Sequence, residues 1–377
     1  MSKYFVKLES LRGVAAFALV LYHSPFYQNG NPNSFVANSD LFVDFFFILS
    51  GFVMMYAYGD RIRDGFRFRN YFFLRLGRIY PLHLALLLAW AFYVFGKWML
   101  FSRQIETVNP FLKNTGESFL TNLFLVHSLN LHSYLSWNYP SWSISVEFFT
   151  YFIFFGFCLL TRKFRNPLAA LAVSLCAYFY VLNQTDWQTL DLTTVNGIFR
   201  CAGGFFAGVF LFQMTDQERK LGSGLTALLE FVAVGLVVLT VSFSAENSLF
   251  LILVIPAMVL AVCVFSLESD GLIGRALKLR PFALAGKYSY SIYLIHALVL
   301  ETVFSLTKYL LVKPGENIYY LQFSSAFIVN IGLMILVFLL AAATYHLIEE
   351  RWLKKSRNFV ARLDDFDRID EKKAVYV

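Results

Sequence analysis

The sequence predicts an all-α membrane protein, a polytopic bundle of about ten transmembrane helices with both termini in the cytoplasm. Hydrophobic residues fill 58% of the 377 positions and charged residues only 15%, against about 25% charged in an average soluble domain. A single soluble core stops growing at about 250–300 residues, so a soluble chain of this length cannot bury so much apolar surface. A bilayer solvates that surface directly.

Ten segments provide the roughly 20 mostly apolar residues that a spanning helix needs. They are 8–27, 41–59, 79–100, 141–161, 167–184, 192–213, 223–243, 248–267, 288–308 and 323–348. The stretch 118–137 holds two histidines and two asparagines, and its polarity is typical of an interfacial or re-entrant segment. We expect one transmembrane domain, residues 1–348, followed by a short charged cytoplasmic tail, residues 349–377.

The distribution of lysine and arginine sets the orientation, because these residues accumulate in cytoplasmic loops. With the N-terminus inside, 25 of the 32 fall in inner segments, five in outer segments and two inside spans. Treating 118–137 as an eleventh span would remove this asymmetry. The net charge of +7 therefore reflects topology, and we expect no nucleic-acid partner.

Ionisable side chains inside spans are costly and usually mark function. Arg12 and His23 are eleven residues apart on the first span. At about 100° and 1.5 Å per residue they return to within about 20° of one face, about 16 Å apart along the helix. Arg12 then lies near the cytoplasmic end and His23 near the outer end of one internal path. The alternative is a snorkelling arginine and an interfacial histidine solvated by water.

Two carboxylates are expected at the same depth as His23. Asp44 and Glu147 each lie early in a span that begins on the outer side. A histidine beside a carboxylate is suited to taking a proton from a hydroxyl group. The sequence does not decide which carboxylate contacts His23, and either could be a structural hydrogen-bonding group. The four cysteines fall in apolar segments, so we expect no metal site.

Arg75 and Arg78 lie at the cytoplasmic mouth of the third span. Two arginines at i and i+3 share a helix face and could bind a phosphate group through paired N–H donors. The alternative is an anchor that follows from the positive-inside rule alone.

Five motifs resemble those of the membrane acyltransferase-3 family and occur in the family's order. They are Leu8-Glu-Ser-Leu-Arg-Gly-Val-Ala-Ala to His23 (an Arg-x10-His pattern), Phe45-Phe-Phe-Ile-Leu-Ser-Gly-Phe-Val53, Arg75-x-x-Arg-Ile-Tyr-Pro81, Ser141-Trp-Ser-Ile-Ser-Val-Glu147 and Tyr288-Ser-Tyr-Ser-Ile-Tyr-Leu-Ile-His296. Each motif alone has little specificity, but the set is specific and covers most of the chain.

The resemblance implies ten core helices and an O-acyltransferase of a bacterial inner membrane. The family transfers an acyl group, usually acetyl from cytoplasmic acetyl-CoA, to an extracytoplasmic glycan or glycolipid such as O-antigen or exopolysaccharide. It also implies functional roles for Arg12, His23, Arg75, Arg78 and Glu147.

Helix geometry and the resemblance together suggest a division of roles. Arg75 and Arg78, helped by Arg12, would bind the phosphates of acetyl-CoA. His23 would act as general base or carry the acyl group itself, with Asp44 and Glu147 as catalytic partners. His296 would line the donor path or serve packing.

The alternative from another functional class is a secondary transporter or flippase for a glycan or lipid precursor. Transporters also bury arginine, histidine and glutamate, but many are built from inverted repeats. The sequence shows no such repeat.

Overall fold

A computed structural model describes residues 5–28, 34–163, 166–215, 220–311 and 323–374, and no β-strand occurs among them. The helices of the first half are α1 (Val6–Tyr22), α2 (Pro25–Gln28), α3 (Ser34–Ala37), α4 (Phe42–Met54), α5 (Asp60–Arg63), α6 (Phe68–Ser102), α7 (Gly116–Leu123) and α8 (Trp142–Leu160). The second half contains α9 (Pro167–Gln184), α10 (Gly197–Met214), α11 (Ser223–Phe243), α12 (Ser248–Ser266), α13 (Leu272–Leu277), α14 (Arg280–Lys287), α15 (Ser289–Leu311), α16 (Phe323–Thr344) and α17 (Glu350–Ala374). Two π-helical turns, Met55–Gly59 and Tyr345–Glu349, continue α4 into α5 and α16 into α17.

The predicted membrane bundle is confirmed. Nine continuous helical stretches of the described chain are long and apolar enough to cross a membrane. The remaining predicted span, 8–27, is interrupted after the 17 residues of α1. The predicted exclusion of 118–137 is also confirmed, because this stretch forms most of the short helix α7 followed by turns. The predicted tail continues α16 through α17, and its last three residues lie outside the described part.

Ion pairs between helix ends agree with spans that alternate in direction. Lys7, at the start of α1, lies 3.3 Å from Asp270, just after α12. Arg200, at the start of α10, pairs with Asp44 at the start of α4 over 2.7 Å. We call the end of the bundle that contains Lys7 the Lys7 end. The opposite end, where α1 stops just before His23, is the His23 end, and it contains Asp44 and Arg200.

The long helix α6 packs against α8 and α17 near the Lys7 end. The 35 residues of α6 measure about 52 Å at 1.5 Å per residue, more than the roughly 30 Å of bilayer hydrocarbon. Its first turns pack along α17, where the rings of Phe73 and Phe359 meet at 5.0 Å. Its first residue, Phe68, meets Phe155 of α8 at 5.1 Å, and the guanidinium of Arg75 lies 5.8 Å from the ring of Tyr151, so Arg75 lies within the length of α8.

Glycines let α10 approach α4 closely. A Cβ added at Gly208 would lie 1.9 Å from the carbonyl oxygen of Ile48, and one added at Gly51 would lie 1.8 Å from that of Phe205. No side chain fits at either position, and small residues commonly permit such contacts between membrane helices. This contact fixes the rotation of α4 and so decides where Asp44 points.

We predict that Gly208→Ala destabilises the protein by about 2 kcal/mol or more, because the added methyl group forces α10 away from α4. Gly235→Ala is the matched control, since nothing lies within 4 Å of a Cβ at that helical position, and alanine is favoured over glycine in a helix. Thermal unfolding in detergent, followed by tryptophan fluorescence, measures both. Equal midpoints for the two variants would contradict the close contact.

Candidate functional site

The first span ends at a histidine because a proline follows. Pro25 has no backbone N–H and disfavours the helical conformation in the residue before it, so α1 stops at Tyr22 and His23 is its C-cap. The backbone N–H of His23 still donates to the carbonyl of Leu19 over 3.0 Å. The half-buried imidazole ring is thereby held at the end of the helix.

A second histidine packs directly against His23. His296, in α15, is fully buried, and its Nε2 lies 3.1 Å from Nδ1 of His23. Nδ1 of His296 lies 2.5 Å from the carbonyl oxygen of Tyr293, one turn earlier. The sequence left two roles open for His296, lining the donor path or packing. The structure shows His296 in direct contact with His23.

The hydrogen-bond partners assign the protons of this pair. A carbonyl oxygen only accepts, so Nδ1 of His296 carries hydrogen and Nε2 of the neutral ring is an acceptor. Nδ1 of His23 faces that acceptor and the carbonyl oxygen of Leu19, 3.0 Å away, and therefore carries hydrogen too. The other nitrogen of His23, Nε2, is the basic atom of the pair.

Aromatic rings pack on two sides of His23. Tyr22 meets the imidazole edge-on, with ring centroids 4.8 Å apart, and Tyr139 lies at 5.2 Å. Trp90 of α6 backs Tyr139 at 6.3 Å. These contacts restrict rotation of the His23 ring and thus the direction in which its basic nitrogen points.

Tyr139 belongs to the segment between α7 and α8, which hydroxyl groups of α8 hold in place. The hydroxyl of Ser145 donates to the carbonyl of Leu125 over 2.5 Å. Leu125 has a φ of 58°, which is unfavourable for a residue other than glycine and persists where the surroundings enforce it. The serines of the Ser141–Glu147 motif therefore support the site structurally.

One tyrosine of α15 ties this segment to the histidine pair. The hydroxyl of Tyr293 donates to the carbonyl of Pro140 over 2.9 Å, while its own carbonyl accepts from His296. The positions of Tyr139 and His296 therefore depend on the same residue.

Arg12 and Glu147 line one small cavity, of about 40 Å³, inside the bundle. Arg12 interacts electrostatically with Glu147 and with Arg78, and Glu147 accepts a hydrogen bond from Tyr151 over 2.8 Å. Arg12 lies eleven residues before His23 on α1, about 16 Å away along the helix. The structure thus brings Glu147 to Arg12 rather than to the histidine pair.

Arg75 and Arg78 both have partners inside the protein. Nη2 of Arg75 donates to the hydroxyl of Tyr58 over 2.6 Å, and Nη1 lies 3.2 Å from Sδ of Met54. Arg78 forms an ion pair with Glu349. The two guanidinium groups follow the expected face of α6, but each has a separate neighbour.

The two π-helical turns carry those neighbours. Tyr58 lies in the turn Met55–Gly59 and Glu349 in the turn Tyr345–Glu349. A π-turn inserts an extra residue into a helical turn and is frequent at functional sites. Both turns present polar side chains to α6 near the Lys7 end.

Asp44 lies at the predicted depth but has a different partner. Its Oδ2 accepts from Nε and Nη2 of Arg200 at 3.0 and 2.7 Å, and its Oδ1 accepts from the hydroxyl of Tyr178 at 3.1 Å. Among the described residues, His23 contacts another histidine and two tyrosines instead. The interpretation of His23, Asp44 and Glu147 as one carboxylate–imidazole cluster is therefore corrected.

Sequence reasoning missed three residues of this arrangement: Glu349, Tyr139 and Tyr293. Glu349 lies one residue beyond the predicted last span, where it was taken as part of the tail. Tyr293 is inside the motif that ends at His296, so the motif was the available signal. Nothing in the local sequence singled out Tyr139.

Comparisons with known proteins agree with this architecture. A family model described as an acyltransferase domain, acyltransferase-3, matches residues 5–346. A curated protein of Bacillus subtilis (strain 168), named "Putative peptidoglycan O-acetyltransferase YrhL", is 26% identical over 332 residues, which cover 80% of this chain and 49% of that protein. "Protein 2 in picA locus" of Rhizobium radiobacter is 40% identical over 92 residues, 24% of this chain and 46% of that protein.

The chain thus spans about half the length of these curated relatives. No solved structure matches it significantly.

We predict that Asp44→Asn destabilises the protein by about 3–5 kcal/mol, because the guanidinium of Arg200 is left buried without a counter-charge. Asp191→Asn is the control, since Asp191 contacts the same guanidinium but its side chain is 57% exposed, and it should cost less than about 1 kcal/mol. Thermal unfolding in detergent measures both.

The double variant Asp44→Leu/Arg200→Met should recover much of the lost stability, since no buried charge remains. An Asp44→Asn protein with wild-type stability and no catalytic activity would instead assign Asp44 to the chemistry.

Proposed function

The chain belongs to the acyltransferase-3 family of membrane proteins, and from that membership we propose that it is an O-acetyltransferase. The donor is cytoplasmic acetyl-CoA, and the acceptor is a hydroxyl group of a glycan or glycolipid on the far side of a bacterial inner membrane. The observation that carries this proposal is the histidine pair, in which Nε2 of His23 is basic and held in one direction. That nitrogen lies at the opposite end of α1 from the arginines.

In this proposal His23 is the general base. Its Nε2 takes the proton of the acceptor hydroxyl as the oxygen attacks the thioester carbonyl. The tetrahedral intermediate then expels CoA as a thiolate, which takes the proton back from His23. The atoms balance without another reactant: the glycan gains an acetyl ester and CoA leaves as a thiol.

His296 acts as a positioning residue. Its Nε2 accepts from Nδ1 of His23, so the same tautomer is kept before and after transfer. When His23 is protonated, its Nδ1–H still meets His296 and the carbonyl of Leu19, and both stabilise the imidazolium.

The donor would bind from the Lys7 end. Arg75 and Arg78 supply guanidinium groups for CoA phosphates, and Arg12 carries the positive charge further into the bundle, next to Glu147. The pantetheine arm of CoA is about as long as the 16 Å that separate Arg12 from His23 along α1. The thioester can then meet His23 while the nucleotide remains at the Lys7 end.

Sidedness follows from the loop charges. The segments at the Lys7 end are rich in lysine and arginine, which favours a cytoplasmic location for that end. The acetyl group would therefore cross the membrane while CoA stays inside. The printed name of the Bacillus relative refers to peptidoglycan, which supports a cell-envelope polysaccharide as the class of acceptor.

We predict that oriented proteoliposomes transfer acetyl from acetyl-CoA on the Lys7 side to envelope polysaccharide on the His23 side. Mass spectrometry of the polysaccharide and thiol release from CoA measure the reaction. His23→Ala should reduce both at least 1,000-fold, an estimate at the level of removing a catalytic-triad residue. A transporter or flippase would move glycan without thiol release, and a requirement for both substrates on one face would contradict the through-bundle path.

His296→Gln tests the positioning role separately. It should lower kcat by about 10- to 100-fold and leave the KM for acetyl-CoA unchanged, because His23 loses its orientation but keeps its basic nitrogen. A raised KM for acetyl-CoA with unchanged kcat would instead indicate that His296 lines the path of the donor.

We also predict that Arg75→Gln raises the KM for acetyl-CoA about tenfold and leaves that for the acceptor unchanged. Arg75→Lys should recover part of the loss, since an ammonium group cannot reproduce paired guanidinium donors. For Arg78, the double variant Arg78→Gln/Glu349→Gln is the right probe, because the single change would leave Glu349 buried and unpaired. Initial rates with each substrate varied in turn decide this, and equal changes in both KM values would indicate a general folding defect.

A further inference from the structure

A polar pocket of about 370 Å³ opens at the His23 end of the bundle, apart from the histidine pair. Three connecting segments form it, those that precede α4, α10 and α12. Its lining includes Asn38, Asp40, Gln188, Thr189, Glu246 and Asn247. A pocket of this size can hold a small molecule or one part of a larger one.

Hydrogen bonds within the segments and to the end of α11 hold the pocket in shape. The side-chain amide of Asn38 donates to the carbonyl of Val241 over 3.0 Å, which joins the first segment to the end of α11. The hydroxyl of Thr185 donates to the carbonyl of Thr189 over 2.6 Å. The pocket is therefore a built part of the fold.

The middle segment adopts an unfavourable conformation next to the pocket. Asp186 and Trp187 have φ values of 48° and 62°, in the left-handed region that residues other than glycine rarely occupy. The backbone N–H of Trp187 donates to the carbonyl of Leu182 over 2.8 Å, and this bond helps hold the turn. Gln188 is the next residue and lines the pocket, so the turn places its side chain there. Unfavourable backbone conformations like those of Asp186 and Trp187 are typical of ligand-binding loops.

The chemistry of the lining identifies the class of occupant. Amides, carboxylates and hydroxyls together supply both donors and acceptors, which a polyhydroxylated molecule can use through each of its OH groups. An apolar ligand would leave these groups without partners. A bound metal ion is disfavoured, because no group of three or more potential ligands from His, Cys, Asp and Glu is found among the described residues.

The pocket also lies close to the reacting end of α1. Asp40 and Tyr22 interact electrostatically, and Tyr22 directly precedes His23 and packs on its ring. The turn Ser39–Leu41, which carries Asp40, packs against α1, so Tyr22 lies near both the pocket and the base. A chain of sugars that passes Tyr22 can occupy both places at once.

We propose that this pocket binds a sugar unit of the acceptor glycan other than the unit that is acylated. This inference rests on the proposed acetyltransferase function and adds a second acceptor subsite to it. Contacts made away from the reacting hydroxyl hold that hydroxyl near His23 and raise its effective concentration there.

The test uses the purified full chain, acetyl-CoA and envelope polysaccharide from a strain that lacks this protein, so that the acceptor is unacetylated. Gln188→Ala/Glu246→Gln removes one exposed amide and one exposed negative charge from the pocket, and Ala245→Leu fills part of it with an apolar side chain. Glu117→Gln, an exposed carboxylate in the first turn of α7, is the matched control.

Both pocket variants should raise the KM for polysaccharide about tenfold, with kcat and the KM for acetyl-CoA changed less than twofold and the control equal to wild type. Unchanged polysaccharide KM values in variants that fold, with an active wild type, would overturn the subsite alone. Loss of wild-type activity on chelation, with recovery on adding Ca²⁺, would show that a cation occupies the pocket and would overturn the proposal too. A wild-type protein that neither releases thiol nor acetylates the polysaccharide would overturn the acetyltransferase function and this inference with it.

Discussion

The bilayer requires every buried charge to find its counter-charge inside the protein, and the rest of the structure follows from how these charges pair. Arg200 and Asp44 join α10 to α4 at the His23 end, and Arg78 and Glu349 join α6 to the π-helical turn after α16 at the other end. Each pair connects helices far apart in sequence and sets their relative depth. His23 differs, because it is a neutral, half-buried ring with one nitrogen left for chemistry.

Regular helices alone would not place all of these groups. A π-turn shifts the phase of a helix by one residue, so the side chains after it face directions that a 3.6-residue period does not predict. Glu349 reaches Arg78 from such a turn, and Tyr58 reaches Arg75 from the other. In the proposed function, the donor end is thus built where two helices depart from ideal geometry and meet the first turns of α6.

The sequence could predict depth but not direction. Hydropathy located α9 and α11 at their observed bounds and excluded 118–137, because both depend only on composition along the chain. Asp44 has the predicted depth, yet it faces Arg200, because the close contact of Gly208 with α4 fixes the rotation of that helix. Which side chains become neighbours depends on packing between segments far apart in the sequence, and a local sequence pattern carries no information about that packing.

The choice of an imidazole rather than a carboxylate beside His23 has a physical reason. A carboxylate at this position would need a permanent counter-charge in the resting protein, since a buried unpaired charge costs several kcal/mol. Neutral His296 orients His23 equally well through one hydrogen bond and needs no counter-charge. In the proposed reaction, positive charge would develop on His23 only while it holds the proton of the acceptor hydroxyl. That brief charge would be met by the negative charge forming on the thioester carbonyl oxygen, so the proposed reaction would supply its own counter-charge within the membrane.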